Sequence, residues 1–448
     1  MRCTWLIAAF LPATAFADPL SVSPDEPSAA EVAAAPLPGR ESGRTDQADA
    51  GDSLLRDIGQ GALLVPRVAV EVTMAPVRAT IWTLDRYKLI DRFKQVFFDD
   101  TETYGLYPTA VLDSSYGLTV GARLVHRNLF GEREHLAVRG GTGGEFRALA
   151  AAGLRTGDRF GERTELALRG EFERRPNDAF YGIGNSTDAM AAHHRQELVR
   201  GTVGVDVRAV RSLHLYLAGA VTDLGYAVTD DGVPIDVMYD PSVLAGWPGT
   251  RNLYGELELR WDGRGYPPHQ DQHATYDRGW LIAAFAGRVH QLEAGRDHWR
   301  YGADVQHHWR IGAGPRALAT RMHFEAVTGE ISDVAFTQLP QLGGKALLRG
   351  YPRDRFRDRI ATAGSLEYQW DLGRLLMASA FVDVGRVFPE LREIQPTDLR
   401  LGYGMSLQLH SHSRFLASVS LASSIDGGFF IDFAFDPVFD LERRVEQR

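Results

Sequence analysis

The sequence predicts an all-β chain: a transmembrane antiparallel β-barrel of about sixteen strands behind a short helical N-terminal extension. Three observations carry this prediction. From Tyr104 to about Asp436 apolar and polar residues alternate with a period of two almost throughout. The alternating segments are long, matching the ~9–11 tilted residues with which a strand crosses a bilayer. The chain also opens on a secretory leader. A strand in hydrocarbon must satisfy both edges, so such a sheet has to close on itself. The competing reading is a soluble antiparallel protein with one wet face. The uniformly charged second face and the leader disfavour it.

Residues 1–17 form the signal peptide: Arg2 supplies the positive region, Cys3 to Leu11 the apolar run, and Ala15-Phe16-Ala17 the small-x-small cleavage site. The run is too short to remain as a membrane span. Cys3 is the single cysteine of the chain. Its removal leaves no disulfide framework and no thiol chemistry. Residues 18–51, rich in Ala, Pro, Glu, Asp and Ser, read as a disordered linker.

Residues 52–100 read as a helical periplasmic extension broken at Pro66 and Pro76. In its second half Trp82, Leu89, Ile90, Phe93, Val96 and Phe97 share one stripe at ~100° per residue. Asp85, Lys88, Asp91, Arg92 and Gln95 fall elsewhere, and Arg86 interrupts the stripe. The first half, with Val68, Val70, Val72 and Met74, suits a strand or a short helix equally. The stripe needs an apolar surface, so it is expected on the periplasmic rim or the membrane surface rather than in a charged lumen.

The barrel is assigned to residues 101–437. Val199, Gly201, Val203, Val205 and Val207 alternate with Arg200, Thr202, Gly204, Asp206 and Arg208. Leu166, Leu168 and Phe172 alternate with Glu165, Arg169, Glu171 and Glu173. Leu257, Leu259 and Trp261 alternate with Glu256, Glu258, Arg260 and Asp262. Tyr403, Met405 and Leu407 alternate with Gly402, Gly404, Ser406 and Gln408. Connections after even strands are expected to be short and periplasmic, as at Val210 to Ser212 and Leu372 to Arg374; Gly263 to Asp277 is a long exception. Connections after odd strands face outward and include Pro176 to Arg195, Gly225 to Thr250 and Gly329 to Asp358.

Near the end of the series Arg349-Gly350-Tyr351 lies in a loop-like stretch from Gly343 to Arg359. Two strands follow, one with Leu366-Glu367-Tyr368 and one with Phe381-Val382-Asp383-Val384-Gly385. An arginine in a loop and single acids on two successive strands point to a loop tucked into a barrel and held by buried charge pairing. On alternation Glu367 and Asp383 face inward, while Leu366, Tyr368, Val382 and Val384 face lipid. The last strand carries Asp426-x-Gly428-x-x-Ile431-x-Phe433, with Phe429 and Phe435 extending its outer face. That pattern has the form of a terminal-strand signal read by the barrel-assembly machinery. A C-terminal tail, residues 438–448, follows it.

These residues resemble the BamA/TamA-like outer-membrane barrel superfamily, also called the bacterial surface antigen family. The likeness runs from Tyr104 to Asp436 and is strongest from Leu339 to Phe388. It implies that the loop after strand eleven folds into the lumen and that Arg349 contacts Glu367 and Asp383. BamA and TamA carry repeated periplasmic POTRA modules. No repeat occurs between Asp18 and Asp100, so the chain resembles members with a short N-terminal extension that lack those modules. This weighs against polypeptide handling and against the two-partner secretion branch.

The remaining motifs point to no chemistry. His307 and His308 are adjacent on a strand and face opposite ways. His193 and His194 read as loop residues without a spaced carboxylate. No metal and no cofactor is expected. Gly140-Gly141-Thr142-Gly143-Gly144 reads as a tight hairpin turn, since no lysine-led helix follows. No Gly-x-Ser-x-Gly elbow appears, which disfavours a lipase, and no enzyme is expected. The net charge of -9 disfavours nucleic acid. With 46 glycines and 44% apolar residues the chain is not wholly disordered. The reading is thus a bacterial outer-membrane barrel that assists assembly or translocation of a polypeptide or lipid client. The alternative is a gated or passive transport pore. The expected partners are outer-membrane lipid and, during biogenesis, the assembly machinery.

Overall fold

A computed structural model describes residues 95–434 except 102, 114–116, 145–146, 230, 266–277, 313–315, 372–375 and 411–414. The first half of the wall comprises β1 (Tyr104–Asp113), β2 (Gly117–His126), β3 (His135–Gly143), β4 (Ala148–Arg155), β5 (Thr164–Phe180), β6 (Ala192–Val210), β7 (Leu213–Val228) and β8 (Gly249–Asp262). It continues with β9 (Gly279–Gln291), β10 (Arg296–Arg310) and β11 (Arg316–Val327). Two short strands, β12 (Gln341–Leu342) and β13 (Phe356–Arg357), pair only with each other. The wall resumes with β14 (Ile360–Asp371), β15 (Leu376–Phe388), β16 (Arg400–His410), β17 (Phe415–Ser424) and β18 (Phe429–Ala434).

Apart from the β12–β13 hairpin, these strands form one 16-stranded antiparallel meander in which each spatial neighbour is also the next in sequence. The edge strands β1 and β18 approach one another. Among the described residues no ladder joins them, so the sheet is not closed by hydrogen bonds.

Side-chain alternation sorts the two faces. Leu168, Val199, Val203, Leu217, Val221, Leu257, Leu259, Met322, Leu366 and Val382 are all exposed on the outer face. The inner face buries charge: Glu256, Glu258, Arg300, Asp304, Arg321 and Glu325. Most of these inner charges are ion-paired, as in Arg260–Glu258 at 2.7 Å and Arg321–Asp304 at 2.7 Å, and Glu256 accepts from the Tyr254 hydroxyl. An apolar outside and an ion-paired inside is the arrangement a strand wall needs in lipid.

The outer band has aromatic borders. At the short-turn end His307 sits between Trp280 and Trp309, with ring centroids 4.0 Å from each, and Tyr368 stacks on Trp370 at 5.4 Å. Trp299 lies on the same face of β10 as Trp309, near the opposite end. At ~3.3 Å per residue and a tilt of about 40°, that separation is roughly 25 Å along the barrel axis, the height of a hydrocarbon band.

Several boundaries differ from the sequence reading. Gly140, Gly141, Thr142 and Gly143 lie inside β3 rather than in a turn. Nothing in their local sequence distinguishes a glycine-rich strand from a hairpin loop; the register with β2 does. His193 and His194 lie in β6, not in a loop. Strands β5 and β6 continue well past a bilayer's thickness, with 17 and 19 residues. This shortens the loop predicted from Pro176 to Arg195. Residues 266–277 of the long exception at Gly263, and almost all of the N-terminal extension, lie outside the described residues.

Candidate functional site

The connection from β11 to β14 carries Arg349-Gly350-Tyr351 onto the inner face of the sheet. In the β14–β15 register Ser365 stands opposite Asp383 and Glu367 opposite Phe381. Alternation puts all four on the inner face, where they form the corners of a compact receptacle. The Arg349 side chain fills it and is only 1% exposed.

Each edge of the guanidinium has its own partner. Nε donates to Asp383 Oδ2 at 2.8 Å and Nη2 to Asp383 Oδ1 at 2.8 Å, a bidentate fork. Nη1 donates to Glu367 Oε2 at 3.0 Å and Nη2 also to Ser365 Oγ at 3.1 Å. The guanidinium carbon lies 3.4 Å from the Phe381 ring centroid, in cation–π contact with the fourth corner. The acids are held in turn: Ser365 Oγ donates to Asp383 at 2.6 Å, and Gln369 Nε2 to Glu367 at 3.0 Å. The Arg349 backbone N–H adds a bond to Asp383 at 2.9 Å, so the loop itself is tied to the wall.

The tripeptide then continues along the wall towards its last strands. Gly350 has φ +94°, and a Cβ there would lie 2.2 Å from the Ser423 carbonyl oxygen on β17. Only glycine fits such a conformation pressed so closely against another backbone. Opposite it, a Cβ on Gly402 of β16 would sit 1.7 Å from the Arg349 carbonyl oxygen. Tyr351 completes the span: its hydroxyl donates to Asp426 Oδ2 at 2.6 Å, in the turn before β18, and lies 3.4 Å from the Leu401 carbonyl oxygen. Burial and the neighbouring Asp426 carboxylate push the Tyr351 hydroxyl up to about 12, so it stays a donor. Leu342, Leu348, Tyr351, Phe356, Ala361 and Val387 pack the apolar side of the loop.

Beyond the receptacle the long connections interlock. Gly184 N–H donates to the Arg357 carbonyl at 2.8 Å and Arg355 Nη2 to the Thr187 carbonyl at 2.7 Å. Phe336 N–H donates to the Ala245 carbonyl at 3.0 Å, and Arg400 Nη2 to the Asn185 carbonyl at 2.7 Å. Phe180, Tyr226, Ile235 and Phe336 form a shared apolar core with His194 packed edge-on against Phe336. His194 is buried among these rings, beside Tyr226, Trp247 and Phe336. Among the described residues no group of three or more His, Cys, Asp or Glu is arranged to hold a metal.

Other sequence-selected residues lie apart from this site. Gly428 is in the turn before β18 with φ +92°, Ile431 is exposed on the outer face, and Phe433 lies within β18. Phe435 and the tail lie outside the described residues. So do Trp82, Leu89, Ile90 and Phe93; Val96 and Phe97 fall in a helical turn with Val96 exposed. Sequence reasoning missed Ser365, Phe381, Gly402 and Asp426 as members of the site. The first two share the inward parity of Glu367 and Asp383, and that parity was the available signal.

No protein-family profile and no curated protein matches the chain. Solved structures do. A BamA structure from Haemophilus ducreyi lacking POTRA domains 1–3 superposes with TM-score 0.53 at 14% identity, covering 74% of this chain and 69% of that one. CdiB from Escherichia coli gives TM-score 0.48 at 13% identity over 74% and 60% of the two chains. CdiB from Acinetobacter baumannii gives 0.45 at 10% over 73% and 58%. The chain thus spans about six tenths of the length of the two CdiB chains. With its 16-stranded meander and apolar outer band, the chain has the barrel fold of the BamA structure.

Proposed function

We propose that the protein is a bacterial outer-membrane barrel that assists the assembly or translocation of outer-membrane proteins or lipids through the junction of its first and last strands. The observation that carries this reading is the contrast between that junction and the rest of the wall. Every other neighbouring pair is joined by a ladder, with register shifts in β5–β6, β6–β7 and β16–β17, whereas β1 and β18 approach without one among the described residues. Unpaired strand edges are templates for an incoming strand. The Arg-Gly-Tyr segment braces β14 to β17, the strands leading to this junction, so the wall stays ordered up to its weak edge. The interlocked loops disfavour a passive open pore; a gated pore is the alternative reading. No catalytic step is part of the proposal.

Location has its own test. The protein is expected to fractionate with the outer membrane and to run faster on a gel unheated than boiled, as barrels do. Recovery as a soluble periplasmic protein would refute the reading. For the junction, single cysteines are placed on β1 and on β18 and oxidised to a disulfide across the seam. The locked protein is expected to stay folded but to lose its effect on outer-membrane protein and lipid composition, and reduction is expected to restore it. Full function while locked would leave the gated pore as the better reading.

A further inference from the structure

Buried charges on the inner wall are paired at several places, and in β2 to β6 arginines outnumber the acids beside them. On β2 and β3 Arg123 stands directly opposite Arg139. Both are on the inner face, since Leu118, Val120 and Val138 are exposed on the outer one. Like charges directly across a strand pair repel. Neither guanidinium forms an ion pair among the described residues. Continuing across the sheet, Arg139 is level with Ala151, Ala151 with Glu171, and Glu171 with Arg200. Glu171 is shared by Arg169 at 2.8 Å and by Arg200. Ala151 and, beside Arg169, Gly153 put almost no side chain between these groups. The sector therefore sets Arg123, Arg139, Arg169 and Arg200 around Glu171, while Glu173, the other acid within electrostatic reach of Arg139, is itself shared by Arg147 and Arg175. Arg139 is exposed on the lumen side and Arg123 half-buried. Elsewhere on the same wall Arg260 and Arg321 each have their own acid.

We propose that this sector of β2 to β6 is an anion site that takes a phosphate-bearing group from the lumen. Guanidiniums present planar forks that match phosphate oxygens, and a facing pair can bridge one doubly charged group. The ligand chemistry is shared by a soluble phosphorylated compound and a phospholipid headgroup. The inference depends on the barrel fold and not on the proposed assembly role.

The test uses the full chain folded in neutral detergent micelles. The readouts are the thermal midpoint of the heat-modifiable band and calorimetric binding. Inorganic pyrophosphate is expected to raise the midpoint well beyond chloride at matched ionic strength. Arg123→Gln combined with Arg139→Gln is expected to weaken pyrophosphate binding at least tenfold. Because it removes a repulsion, it should leave the midpoint without pyrophosphate equal to or above the parent value. Arg123→Lys with Arg139→Lys should keep part of the response. A second arm adds short-chain phosphatidic acid to the micelles. A response there that the Gln variants lose, with none to pyrophosphate, assigns the site to a membrane headgroup; responses to both assign it to phosphate generally. The proposal is overturned if neither probe acts beyond chloride, if the Gln variants respond as the parent does, or if they are less stable without ligand.

Discussion

Replacing Arg349 by alanine is expected to abolish most folded barrel. The side chain fills a receptacle that holds two carboxylates, Glu367 and Asp383, each nearly inaccessible to solvent. Removing the cation leaves both acids buried without it, and breaking a buried pair typically costs about 3–5 kcal/mol. Arg349→Lys keeps the charge but loses the bidentate fork to Asp383 and the flat contact with Phe381, so it should rescue only in part. The electrostatic origin has a separate check. Adding Glu367→Gln and Asp383→Asn to Arg349→Ala removes the uncompensated charge and should recover part of the folded yield. The measurement is the fraction running as the fast, unheated band after outer-membrane extraction. A yield from Arg349→Ala equal to the parent would sink the idea, and so would a triple variant no better than the single one.

How much of this was legible beforehand varies with the physical range of each feature. Period-two alternation reports a local fact, which face each residue takes, and it placed Glu367 and Asp383 inward and Leu366 and Val382 outward. The number of strands and their meander order follow from the same local signal. Register does not. That Ser365 faces Asp383 and Glu367 faces Phe381 depends on how two strands slide past one another. Nothing in either segment alone states it. The glycines of β3 show the same limit. Gly140 to Gly143 carry no side-chain pattern, and only pairing with β2 makes them a strand. His193 and His194 read as loop residues in the sequence because β5 and β6 run on past the length a bilayer requires, which no local pattern announces.

The least legible member of the site is Gly402, and it carries the last prediction. In the sequence it is one more glycine on the inward face of an alternating strand. In the fold it marks where two backbones meet: a Cβ there would lie 1.7 Å from the Arg349 carbonyl oxygen. The obstacle is main chain, so no rotamer change relieves it, and Arg349 is fixed from its other side by Asp383, Glu367 and Phe381. Gly402→Ala should therefore lift the loop off the wall while leaving every charged group of the receptacle present. The expected cost is about 3 kcal/mol or more, the upper part of the overpacking range. Gly255 supplies the control: it also sits mid-strand, and an added Cβ meets nothing within 4 Å. Gly255→Ala should fold as the parent does. Gly402→Ala should lose folded yield, and its remaining barrel should be cut by protease within the stretch from Gly343 to Arg359. If the two variants prove equally stable and equally resistant, the close packing of the loop against β16 is not what holds the lock in place.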